Sequence, residues 1–295
     1  MICILYCIKK SDMKINTGVI AFIIVLLLMP IGHIIMSFIT KNYSLDYQML
    51  FAGGLGFLGV LIILLNSRTQ NEIVSSLFGL LAGILIWTGW VEFAFVYFAE
   101  RLGINPLLVD GEIVTRPEYL LMISSGGLVF ALLSVLMVDS TTRCNMFLWF
   151  QKRLNLKITK VPSKKNYTAL TALESMIIIW FFYILLLVVY DDHLFGDKHI
   201  VTYAVFFLSL LWSFFLFKNL LRKRHMGKAI RYAIPTVVIF WNAVEILGRW
   251  NFFDEFWVEP NKYYIESSII LLCFIVIFVK VFIEKCNTRK FTVVK

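Results

Sequence analysis

Two glutamates sit where a carboxylate is costly. Glu92, in Gly89-Trp90-Val91-Glu92-Phe93, and Glu245, in Asn242-Ala243-Val244-Glu245-Ile246, each fall inside an apolar stretch of membrane-spanning length. A charge at that depth is expensive, so an intramembrane carboxylate is by default a candidate for proton or cation chemistry. Arg249 follows Glu245 by one helical turn, which makes an intrahelical ion pair its ordinary structural role. Glu92 has no basic residue three or four positions away on either side. It needs a partner from another segment, a bound cation or a proton. Glu100, Asp254 and Glu255 lie at or beyond the ends of the same stretches and, with Glu92, Glu245 and Arg249, complete a candidate cation, proton or ligand site.

A second group lies in Tyr190-Asp191-Asp192-His193-Leu194-Phe195-Gly196-Asp197-Lys198-His199. Imidazole and carboxylate both suit a transition metal, so Asp191, Asp192, His193, Asp197 and His199 are candidate ligands for copper or another such ion. A short polar loop between apolar spans is also rich in Asp, Gly and Lys for solvation alone, and the spacing matches no zinc or haem motif. His33 stands by itself after Pro30 in the first apolar run and reads as a packing histidine. With four histidines in all, a multi-histidine haem or desaturase-type centre is excluded. No serine triad, phosphate loop or thiol redox pair is visible.

The elements that position these groups follow from composition. Of 295 residues, 60% are hydrophobic and 16% charged, and the mean hydropathy is +0.81. Soluble domains carry about 25% charged residues, so this is an integral membrane protein. Apolar stretches near 16–39, 49–66, 73–98, 118–138, 167–190, 199–219, 228–250 and 263–284 approach or exceed the roughly 20 residues that cross a bilayer. The expected fold is all-α, a polytopic membrane bundle of about eight transmembrane helices. The alternation of an outer-membrane barrel is missing. The glycines of the second stretch (Gly53, Gly54, Gly56, Gly59) suit close helix packing.

The two glutamate stretches occupy the third span of each half. Downstream, Pro117-Glu118-Tyr119 leads to Ser124-Ser125 as Pro260-Asn261-Lys262 leads to Ser267-Ser268. Two four-helix repeats are therefore expected, at 16–138 and 167–284. A segment at 1–15 precedes them, a basic linker at 139–166 joins them, and a tail at 285–295 follows. Because each half has an even number of spans, the repeats would be parallel, related by an axis along the membrane normal.

Charge sets the orientation. All but six of the 28 Lys and Arg fall on the side of the two termini; the six are Lys41, Arg101, Arg116, Lys198, Arg249 and Lys262. The positive-inside rule then places both termini in the cytoplasm and the chain in the cytoplasmic (inner) membrane as a multi-pass protein. The net charge of +9 fits contact with anionic lipid. The basic loops are short and lack interleaved aromatic platforms, which argues against a nucleic-acid partner. The opposite side gathers Asp46, Asp110, Glu112, Glu118, Glu259 and Glu266 with the acids named above, either through simple tolerance or as an acidic vestibule. Trp87, Trp90, Tyr97, Trp250, Phe252, Phe253, Phe256 and Trp257 read as an interfacial aromatic belt there.

Cys3, Cys7, Cys144, Cys273 and Cys286 imply no disulfide framework. Without a small-residue cleavage site the first apolar run is expected to remain as a span, and Met13-Lys14 resembles a natural start. Asn42-Tyr43-Ser44 matches a glycosylation sequon.

The run Asp191-Asp192-His193 to His199-Ile200-Val201-Thr202-Tyr203 resembles the aspartate-rich stretch ending His-Ile-Ile-x-x-Tyr in the C subunit of copper membrane monooxygenases, the particulate methane and ammonia enzymes. The run from Val244 to Pro260 is similar to the same subunit's Asn-Glu-x-Gly-His and Glu-Glu-x-Phe-Val-x-Pro pattern. The resemblance implies copper held by an Asp and two His in one cluster and by an Asn and two His in another. Here His199 falls on a ligand position, whereas Val244, Arg249 and Lys262 occupy the second cluster. Charged guanidinium and ammonium groups do not ligate copper.

Two function classes follow. One is a non-enzymatic membrane-complex subunit or a cation- or proton-coupled carrier. The other is a subunit of a membrane metal-dependent, monooxygenase-like complex. The lipid bilayer is a partner in both, together with other membrane subunits or further copies of the chain.

Overall fold

In hydrocarbon an apolar run must satisfy its own backbone, so each long run closes into a helix. The computed structural model describes residues 16–69, 71–109, 112–115, 117–138, 145–156 and 166–292. Span 1 is α1 (Thr17–Asn42) and span 2 is α2 (Leu45–Asn66). Span 3 joins α3 (Glu72–Ile86), a π turn (Trp87–Glu92) and α4 (Phe93–Arg101). The fourth apolar stretch, numbered span 4, divides into α5 (Pro117–Ser124) and α6 (Gly126–Val138), and a short helix α7 (Asn145–Arg153) follows. Spans 5 to 8 are α8 (Tyr167–Tyr190), α9 (Ile200–Leu221), α10 (Met226–Arg249) and α11 (Tyr264–Thr292). Seven helices are long and apolar enough to cross a membrane, and eight segments qualify when the broken pair is taken as one. The fold is the helical bundle of a multi-pass membrane protein.

Three features depart from a uniform set of helices. A two-stranded antiparallel hairpin, β1 (Leu107–Val109) with β2 (Glu112–Thr115), connects spans 3 and 4. The linker region contains α7. Span 4 bends by 40° at Ser125. There Ser124 and Ser125 donate their hydroxyls to the carbonyls of Leu121 and Met122, at 2.5 and 2.6 Å, and compete with the helix ladder. The readings made for Met13, Cys3, Cys7, Cys144 and Asp110 lie outside the described residues.

Burial separates centre from periphery. In the most apolar window of α10, 78% of residues are buried, and in span 3 the share is 67%, against 17% in α9 and in α11. Spans 3 and 7 pack against each other. Around them span 3 takes spans 2 and 5, while span 7 takes spans 6 and 1; span 4 leans on span 5 as span 8 leans on span 1. Exchanging the halves leaves the span 3–span 7 pairing in place and maps each of the others onto its counterpart.

Small residues permit the closest approaches. A Cβ on Gly59 would lie 2.9 Å from the Ala82 carbonyl oxygen, and one on Gly83 would lie 2.9 Å from that of Ala172. Gly56 receives the Trp90 ring. A Cβ on Gly53 or Gly54 would meet nothing within 4 Å. Gly79-x-x-x-Gly83 is the small-xxx-small pattern that seats span 3 on span 5.

At the basic end, Arg231 is buried and pairs with Glu72 while donating to Ser76 Oγ at 2.8 Å. His225 lies 3.8 Å from Glu72. Arg231 thereby ties span 7 to span 3.

Candidate functional site

Glu92 and Glu245 face each other across one imidazole. Nδ1 of His33, on α1, lies 3.7 Å from Glu92 Oε1, and its Nε2 lies 3.6 Å from Glu245 Oε1. His33 is thus not a packing residue. It supplies the partner from another span that Glu92 requires. Both separations exceed the 2.7–3.2 Å of a hydrogen bond by a few tenths of an ångström.

The elements explain this convergence. The Trp241 indole N–H donates to Glu245 at 2.6 Å, one α-helical turn away at i,i+4. Trp87 likewise hydrogen-bonds Glu92, but at i,i+5. The π turn at Trp87–Glu92 takes up the extra residue and gives both carboxylates the same indole support. Such turns are frequent at functional sites. Gly89 within it lets span 2 approach at Ala52 and Gly56.

Tyr183 stacks on His33, with centroids 6.4 Å apart and planes at 22°. Counted from the first residues of their helices, Thr17 and Tyr167, the two rings occupy the same position. Tyr119 hydrogen-bonds Tyr183 from span 4.

A cavity of about 40 Å³ adjoins the triad, lined by His33, Thr88, Glu92, Tyr183, Asn242 and Glu245 among others. One water needs roughly 10–15 Å³ by this measure, so about three fit. Thr88 and Asn242 are 3% and 2% exposed, and Thr88 Oγ1 and Asn242 Nδ2 have no hydrogen-bond partner among the described residues. Orphaned polar groups beside such a space are the usual sign of a bound water or ion. Leu28, Ile84, Ile179 and Val238 wall the cavity where the apolar core begins.

On the other side the path widens. A cavity of about 190 Å³ shares His33, Glu92 and Tyr183 with the first and adds Ser37, Thr40, Glu118 and Val258. Val258 also borders a vestibule of about 610 Å³, where Asp192, Asp197, Asp254, Glu255 and Glu259 face Arg249 and Lys262. Carboxylates in such a concave site raise the local cation concentration.

The six residues of the expected acidic site therefore occupy different places. Glu92 and Glu245 lie at the triad, while Arg249, Asp254 and Glu255 line the vestibule. Glu100 is exposed near the end of α4. Arg249 pairs with Asp197 at 3.0 Å. Asp254 accepts from Tyr263 Oη at 2.5 Å. Glu255 sits against Gly248. Burial pushes the Asp197 carboxyl above its usual value, against the pull of Arg249.

The Asp/His loop is organised by other bonds. Asp191 Oδ1 accepts from the His193 backbone N–H at 2.9 Å. His199 Nδ1 caps α9 by accepting from Val201 N–H at 3.3 Å. The Asp192 carboxylate lies against Gly196, whose φ of +95° favours glycine. Asp197 is tied to Arg249 and, through its carbonyl, to the Trp250 indole at 2.8 Å. Among the described residues, no three His, Cys, Asp or Glu side chains form a group that could hold a metal ion. Two members of the expected aromatic belt, Trp87 and Trp257, are instead buried, Trp257 against Trp241 with centroids 5.0 Å apart.

The sequence reading passed over Tyr183, Asn242, Thr88 and the buried Glu174 of α8. Trp241, four residues before Glu245, and Asn242, which opens the matched stretch, were the available signals. No family model, curated protein or solved structure matches the chain.

Proposed function

We propose that this chain is a membrane carrier, alone or as a subunit of a larger membrane complex, that takes up a proton at His33, Glu92 and Glu245. The observation that carries the reading is the convergence of two intramembrane carboxylates, from corresponding places in the two halves, on the two nitrogens of one imidazole. A neutral imidazole donates through one nitrogen only, whereas the protonated ring donates through both. With both glutamates ionised, the triad is at net charge −1 even when His33 is protonated. One further proton neutralises it. A buried site that can become neutral by taking up one charge avoids the cost of leaving that charge uncompensated.

The paired packing of the spans supports two four-span repeats about an axis normal to the membrane. The Lys and Arg distribution supports cytoplasmic termini, so that the acidic vestibule opens outside and the apolar wall closes the inner side. The cavity suits a few waters, not an organic solute.

The test is flux into liposomes containing purified protein and an internal pH dye, with Na⁺, K⁺ or pH gradients imposed in turn. Wild type should move protons, and Glu92→Gln and Glu245→Gln should each cut the rate at least about tenfold, as loss of a general proton-transfer group does. Rates unaltered in both variants, or no flux above protein-free vesicles, would overturn the proposal.

A further inference from the structure

A second cavity lies at the basic end, away from the triad. It measures about 550 Å³ and is lined by Leu148, Trp149 and Lys152 of α7, Trp212, Phe215, Leu216 and Asn219 of α9, and Tyr232 and Pro235 of α10. This is within the size range of small-molecule sites. Its walls remain open: Trp149 is 52% exposed and Phe215 62%. They continue the apolar surface of α9, whose Phe207, Leu208, Leu211 and Phe214 are also exposed.

The polar groups gather at one place. Tyr232 and Asn219 hydrogen-bond each other. Lys223 Nζ lies over the Tyr232 ring at 4.6 Å. Lys152 lines the cavity, and Arg153 lies over Trp149 at 5.5 Å. Among the described residues, no carboxylate lines this cavity. An apolar slot that opens along a lipid-facing helix and ends among cations complements an acyl chain joined to an anionic headgroup.

We propose that α7, α9 and α10 form a site for one anionic glycerophospholipid, its acyl chain along Trp149, Trp212 and Phe215 and its phosphate between Lys152 and Lys223. Asn219 is the neutral donor to the same phosphate. The lipid fills the gap between α7 and the bundle, and so fixes the short helix that begins the connection between the halves. This holds whether or not the triad carries ions.

The test uses full-length protein in nanodiscs with phosphatidylglycerol or phosphatidylcholine whose acyl chains are brominated, a modification that quenches nearby tryptophan. The brominated anionic lipid, at a small mole fraction in unlabelled phosphatidylcholine, should quench more than brominated phosphatidylcholine at the same fraction. The excess should vanish in Trp149→Phe/Trp212→Phe. A basic residue near a membrane surface contributes about 1 kcal/mol to anionic-lipid binding, so Lys152→Gln should weaken the preference roughly fivefold. Lys41→Gln, at the opposite end of the bundle, should leave it unchanged. Equal quenching by the two lipids means annular contact only and overturns the proposal, as does a preference indifferent to Lys152→Gln. Absence of any quenching of Trp149 and Trp212 means that the linker covers the cavity, and overturns it equally.

Discussion

Replacing His33 by Phe isolates what the imidazole does. The substitution keeps an aromatic ring against Tyr183 and removes both nitrogens that face the glutamates. At 3.6 Å and an effective dielectric constant near 20, a protonated imidazole and an ionised carboxylate attract by about 4–5 kcal/mol. Removing one partner of a buried pair typically costs roughly 3–5 kcal/mol. Two features reduce that figure here. His33 is 22% exposed, so water screens part of the charge, and the indoles of Trp87 and Trp241 still donate to the carboxylates. With the ring protonated and the glutamates ionised, a loss of about 2–3 kcal/mol is expected, a fall in melting temperature of roughly 4–10 °C. The assay is thermal unfolding of detergent-solubilised protein, followed by intrinsic fluorescence, in a double-mutant cycle. Glu92→Gln added to His33→Phe removes the uncompensated charge and should recover at least about 1 kcal/mol, a coupling ordinary for residues in contact. Additive single effects, or a His33→Phe protein as stable as wild type, would refute the triad as an electrostatic unit.

Three other expectations are independent of that cycle. Gly59→Leu forces a side chain against the Ala82 carbonyl and should cost about 1–3 kcal/mol; Gly53→Leu, in open space, should stay within about 0.5 kcal/mol, and equal losses would argue against the span 2–span 3 interface. Reporters fused after Lys295 and inserted at Gly196 should report opposite sides of the membrane, the first cytoplasmic; a cytoplasmic signal at Gly196 would break the eight-span arrangement. Asp197 has a folded pKa above its unfolded one, so its protonation favours the folded state: that contribution is full below about pH 4 and is lost as pH rises through the folded value. Asp197→Asn should therefore flatten the pH dependence of the melting temperature above pH 4, and a profile identical to wild type would show that the carboxyl is not desolvated in the fold.

The membrane class and the span positions were written in the sequence, because hydrocarbon leaves a long apolar run little choice but a helix. Tyr167–Tyr190 was read to the residue and Leu45–Asn66 to within four at its start. Glu92 and Glu245 were legible for the same reason: a carboxylate among aliphatic neighbours stands out against its own segment. His33 was not, since a lone histidine in a span gives no sign of its neighbours, and the residues it meets are far away in the chain. The sequence places Glu245 one turn from Arg249 on the same helix. Tertiary packing instead turned Glu245 toward Trp241 and His33 and gave Arg249 the Asp197 carboxylate. The π turn escaped notice because it adds one residue between Trp87 and Glu92 without changing the apolar character of the segment. Local chemistry marked which groups were costly to bury, and only the packing of spans 1, 3, 5 and 7 decided which of them share that burial.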